Sequence, residues 1–65
     1  MVALDSVRFF NGVDFVTYRL FRDSNDRYFV IEQYDDGEQY RVPYQGQIYM
    51  DRAAAYQLFA NIREV

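Results

Sequence analysis

Carboxylates are the only side chains in this chain with acid–base chemistry near neutral pH, and they sit in turn-like stretches: Asp23 with Asp26, and Asp35 and Asp36 with Glu38. No His or Cys is present. The usual general base and the commonest metal ligand are therefore missing, and neither a Ser-His-Asp nor a Cys-His arrangement can be assembled. Ser6 and Ser24 have no Lys to activate them, since every basic residue is Arg. Asp and Glu in such positions ordinarily shape and solvate turns. The expectation is a protein that is not an enzyme.

Ligand motifs fail on the same close reading. Asp23-Ser24-Asn25-Asp26 starts like a calcium loop, but Arg27 stands at the fifth position and Tyr28 where the loop needs Gly. The three Gly residues, at 12, 37 and 46, are isolated, so no phosphate-cradling loop exists. No cofactor and no metal are expected.

Ten acidic residues against seven Arg give a net charge of −3. Direct nucleic-acid binding needs the opposite balance, so none is expected. No apolar run is long enough to span a membrane, and the N-terminus lacks a signal-peptide pattern. With no disulfides either, the expected location is cytoplasmic, away from membranes.

The elements that must position any site follow from turn chemistry and periodicity. At 65 residues the chain is one domain, residues 1–65, near the lower size limit for independent folding. Six Phe and seven Tyr let few positions bury much area. Asn11-Gly12, Asp23–Asp26 and Asp36-Gly37 divide the first two-thirds into strands at about 7–10, 13–22, 27–34 and 38–44. Asp5 offers an alternative, as the cap of a short helix ending near Gly12. Pro43 donates no ladder bond and marks the fourth strand as an edge or its end, after which residues 47–50 suit a brief further strand. Asp51 is suited to cap a helix over 52–64, with Ala55, Leu58, Phe59 and Ile62 on one stripe and Gln57, Asn61 and Glu64 on another. The fold expected is α+β: a four-stranded antiparallel meander (ββββα) with the C-terminal helix packed on one sheet face.

Treating Asn11-Gly12 and Asp36-Gly37 as two-residue turns sets Val7 opposite Val16, Ile31 opposite Val42, Phe29 opposite Tyr44, Gln33 opposite Tyr40 and Glu32 opposite Arg41. Pairing across Asp23–Asp26 sets Leu20 opposite Phe29 and Tyr18 opposite Ile31. The helix-facing set is then Val7, Val16, Tyr18, Leu20, Phe29, Ile31, Tyr40, Val42 and Tyr44. Left on the second face are Phe15, Arg19, Phe21, Tyr28, Val30, Glu32, Tyr34 and Arg41, with Phe21 beside Tyr28 and Phe15 beside Tyr34.

Aromatic rings among Arg residues have the composition of a protein-binding hot spot. Phe15, Arg19, Phe21, Tyr28, Tyr34 and Arg41 are the candidate partner-binding residues. The expected function is a small non-catalytic module acting stoichiometrically on a protein partner, as a phage or bacterial inhibitor or accessory subunit; a free strand edge is a second mode of contact. The alternative uses an acidic patch of Asp14, Asp35, Asp36 and Glu38 to mimic nucleic acid and block a host-defence nuclease complex, an anti-CRISPR-like role. A structural homodimer built on the aromatic face is a third.

Overall fold

Side-chain placement in this chain is decided at its three reversals. In the computed structural model, which describes residues 1–64, they separate β1 (Val2–Phe10), β2 (Phe15–Arg22), β3 (Tyr28–Tyr34) and β4 (Gln39–Arg41), and α1 (Arg52–Arg63) follows. The strands form one antiparallel sheet in the order β1-β2-β3-β4. The N-terminal segment is strand, not capped helix, and β1 is longer than expected.

The first reversal turns on the Asn11 side chain. Its Oδ1 accepts from the Val13 and Asp14 amides at 2.9 and 2.8 Å, while the Asn11 amide donates to the Asp14 carbonyl at 2.9 Å. Asn11 is therefore a corner of the turn, with Gly12 at φ +97° beside Val13 at the tip. Val7 pairs with Tyr18, not Val16. A shift of two residues keeps every side chain on its expected face.

The other two reversals each have three-residue loops. Asp23 N–H bonds the Arg27 carbonyl at 2.9 Å, enclosing residues 24–26, and Asp26 takes a positive φ of 58°. Tyr34 N–H bonds the Glu38 carbonyl at 2.9 Å, enclosing residues 35–37, with Gly37 at φ +96°. Both have a turn closed by an i+3 amide, Asp26 to Asp23 O and Gly37 to Tyr34 O, followed by the left-handed residue of a bulged hairpin.

These loops move the register by one residue at each side of β3. Leu20 pairs with Val30 instead of Phe29, and Tyr18 with Glu32 instead of Ile31. Ile31 pairs with Arg41 instead of Val42, and Gln33 with Gln39 instead of Tyr40. Glu32 faces Tyr40, so the expected Glu32–Arg41 pair does not form. The two changes add across β3, so Leu20 lines up through Val30 with Val42 and not through Phe29 with Tyr44; a two-residue displacement keeps the facing of β4. Only β3 is inverted: Tyr28, Val30, Glu32 and Tyr34 share a face with Leu20, whereas Phe29, Ile31 and Gln33 share one with Arg19, Phe21 and Arg41.

β4 ends early because Pro43 has no amide, the last ladder bond being Val42 N–H to Val30 O at 2.9 Å. The chain turns at Gln45-Gly46, both with positive φ, and Met50 exchanges two backbone bonds with Tyr28 at 2.9 and 3.0 Å. Met50 thereby enters the core, and the next residue starts the helix. Asp51 Oδ1 accepts from the Ala54 amide at 2.8 Å. Ala55, Leu58 and Phe59 of α1 bury against Leu20, Val30 and Met50. α1 lies chiefly over β3, and its Arg63 reaches Asp5 of β1 at 2.7 Å.

Candidate interaction surfaces

Four of the six candidate residues, Phe15, Arg19, Phe21 and Arg41, lie on the face without the helix; Tyr28 and Tyr34 do not. Tyr28 packs under α1, its ring 6.5 Å from that of Tyr56. Phe21 instead stacks on Phe29 at 5.4 Å, and Phe15 packs on Phe10 at 5.1 Å.

Phe29 gives the open face a small core of its own. It is only 2% exposed although no helix or strand covers that side. Its cover is made of side chains: the Phe21 ring, the edge-on Tyr49 ring at 5.5 Å, and the Arg41 guanidinium 4.7 Å above it. Arg41 also donates to the Tyr49 hydroxyl, and Arg27 lies 4.2 Å over the Tyr49 ring. An Arg laid flat on a ring shields apolar surface and keeps outward N–H donors free. At the other end of this face, Arg8 lies 4.2 Å over Phe15, beside a 60% exposed Phe10.

Charge on the open face is unbalanced. Arg8 is loosely paired with Asp35 at 3.4 Å, and Arg27 with Asp23 at 2.9 Å. Arg19 meets the neutral Gln33 amide oxygen and Arg41 the Tyr49 hydroxyl, so neither has a carboxylate partner among the described residues. Arg8, Arg19, Thr17, Gln33 and Asp35 line a concavity of about 450 Å³ there. The surface offers cationic donors next to apolar rings.

The acidic candidates divide. Asp14, Asp36 and Glu38 line a second concavity, of about 450 Å³, together with Glu32, Tyr34 and Tyr40; Asp35 points to the other face and its Arg8 partner. Three phenols attend these carboxylates. Tyr18 donates to Glu32 at 2.7 Å and Tyr40 to Glu38 at 2.7 Å. Burial, then Glu32, pushes the Tyr18 phenol above its ordinary value. Glu32 raises Tyr34 and Glu38 raises Tyr40 in the same way. Each carboxylate that would imitate a phosphate here is thus already engaged by, or adjacent to, a phenol.

Sequence reasoning missed Arg8, Phe10, Phe29 and Tyr49 as surface-forming residues. Phe10 had a signal, since it precedes the Asn11-Gly12 turn and must be near a hairpin tip. Phe29 and Tyr49 had none, because their placement depends on the inversion of β3 and on the irregular path from 43 to 50. Among the described residues no helix is long and apolar enough to cross a membrane. No known protein family, curated protein or solved structure matches this chain.

Proposed function

We infer that this protein is a non-catalytic module that binds another protein through its open sheet face, acting stoichiometrically as an inhibitor or accessory subunit in the cytoplasm of a bacterium or phage-infected cell. The observation that carries it is the pairing of exposed rings with cations: Phe10 and Phe15, 60% and 42% exposed, lie beside Arg8 and Arg19, and Arg19 and Arg41 on this face have no carboxylate partner among the described residues. Rings and Arg are enriched where protein partners bury hot spots. Base stacking is a poorer use of this face, because Phe29 is buried and Arg8 already occupies the Phe15 ring.

The gathering of Asp14, Glu32, Asp36 and Glu38 at one end supports a second reading, that of an acidic mimic blocking a nucleic-acid channel. A homodimer built on the aromatic face is disfavoured, since it would set Arg-rich surfaces against each other.

Capture from the native host with three tagged baits separates the two readings. The wild type and an Asp36→Asn/Glu38→Gln variant should retain the same partner, and a Phe15→Ser/Arg19→Gln variant should lose it. Loss only in the acidic-end variant, with nucleic acid competing for the partner, favours mimicry and counts against the open face.

A further inference from the structure

We propose that the outer edge of β1 pairs antiparallel with the same edge of a second copy of this chain, joining two sheets into one of eight strands. The proposal concerns the edge and is independent of what binds the open face.

The two edges of the sheet differ in kind. β4 is three residues long, and Pro43 closes it. β1 has nine residues, contains neither Lys nor Pro, and has no strand beyond it among the described residues. An edge of that sort templates pairing unless something blocks it. Among the described residues β1 is interrupted at its start, where the register shifts between Ala3 and Asp5 and Asp5 binds Arg63. Ser6–Phe10 is left regular.

The direction of the free groups follows from the ladder. Asn11 bonds Asp14 through backbone, so Phe9 and Val7 bond inward to β2, and Ser6, Arg8 and Phe10 point their N–H and C=O outward. Consistent with this, the Ser6 amide takes the Asp5 carboxylate as its acceptor, at 2.8 Å. By the same alternation the Arg8 and Phe10 amides face away from β2. Exposed apolar side chains concentrate on the same side: among the described residues six of the nine large ones, Met1, Val2, Leu4, Phe10, Val13 and Phe15, lie in or next to β1 and its hairpin.

A second copy fits this edge because the edge complements itself. A two-fold axis normal to the sheet keeps both helices on one face and must be centred on a residue of β1. Centring on Asp5 or Arg8 opposes like charges. Centring on Val7 sets Ser6 opposite Arg8 of the second copy, engages both outward pairs, and lays the exposed Phe10 alongside Leu4 of the second copy. In this register Ser6, Val7 and Arg8 pair with regular residues while Phe9 and Phe10 meet Asp5 and Leu4 at the register shift, so the buried area falls below the roughly 1,200 Å² of a stable interface and the pairing is concentration-dependent.

Sedimentation equilibrium from about 10 µM to about 1 mM should show the mass rise from 7.8 kDa toward twice that value. Arg8→Ala, which keeps the amide, should do the same; Arg8→Pro removes an amide that β2 does not use and should stay at the monomer mass with an unchanged circular dichroism spectrum. Should the proline variant unfold, hydrogen exchange in the wild type decides: the Arg8 amide should slow at least tenfold between the two concentrations. A mass fixed at 7.8 kDa overturns the proposal, as does a rising mass with no slowing at that amide.

Discussion

The two faces of this sheet solve the same burial problem with different materials. On one, Leu20 and Val30 vanish beneath α1, and an aliphatic and aromatic layer from Ala55, Leu58 and Phe59 completes the core. On the other, Phe29 is left 2% exposed by Phe21, Tyr49 and Arg41, with no overlying helix or strand among the described residues. The first solution hides its polar groups in the backbone. The second covers its ring with guanidinium groups, and the proposal that this face binds a partner rests on that difference. A short chain with one helix can thus cover one face with secondary structure and the other with long side chains.

The largest effects should come from the two buried centres. Leu20→Ala should cost about 2–5 kcal/mol and Phe29→Ala about 3–5 kcal/mol in urea unfolding, the range for buried truncations. Parity between them supports two cores; a Phe29→Ala cost under about 1 kcal/mol breaks the comparison, because surface substitutions fall in that range. Next comes the register itself. Tyr28→Ser, under the helix, should destabilise by about 2–3 kcal/mol, whereas Phe15→Ser on the open face should stay within about 1 kcal/mol. Equally small costs at both positions would restore the face assignment read from the turns, which set Tyr28 and Phe15 on the same open face.

Smaller effects test what supports each face. Asp51→Ala should cost about 1 kcal/mol by leaving the Ala54 amide without its cap, read as a lower melting temperature. Alkali should act on the helix-side phenols. The fold raises the pKa values of Tyr18, Tyr34 and Tyr40, so it holds those protons more tightly than the unfolded chain does. That stabilisation is whole below about pH 10 and is lost as pH rises past it. The Arg27 amide, with the Asn25 amide and the Arg27 guanidinium, holds the Asp23 carboxyl below its ordinary value. Its contribution is present above about pH 4 and is lost as pH falls further. Asp23→Asn should flatten the acid limb of the stability profile and leave the alkaline limb unchanged.

Most of the fold was legible in the sequence, because alternation, turn dipeptides and the Asp51 cap each report local physics. The ββββα order, the helix stripe and the faces of β1, β2 and β4 all follow from it. β3 was not legible. Its facing depends on whether Asp26 and Gly37 sit inside the loop as left-handed residues, a one-residue question to which composition is blind. Mutual agreement among the turns gave no protection, since two one-residue changes add to a two-residue displacement that leaves the facing of β4 unchanged. Arg19, Phe21, Arg41 and Phe15 were placeable because their strands keep their facing; Tyr28 and Tyr34 moved with β3.

The most direct test of open-face binding is an amide chemical-shift titration of the isotope-labelled protein with the captured partner. Binding through the open face should perturb Phe10, Phe15, Arg19, Phe21 and Gln33 first and leave Asp14, Asp36, Glu38 and Tyr40 unmoved. Perturbation centred on Asp14, Asp36, Glu38 and Tyr40, with the open face unchanged, would contradict it.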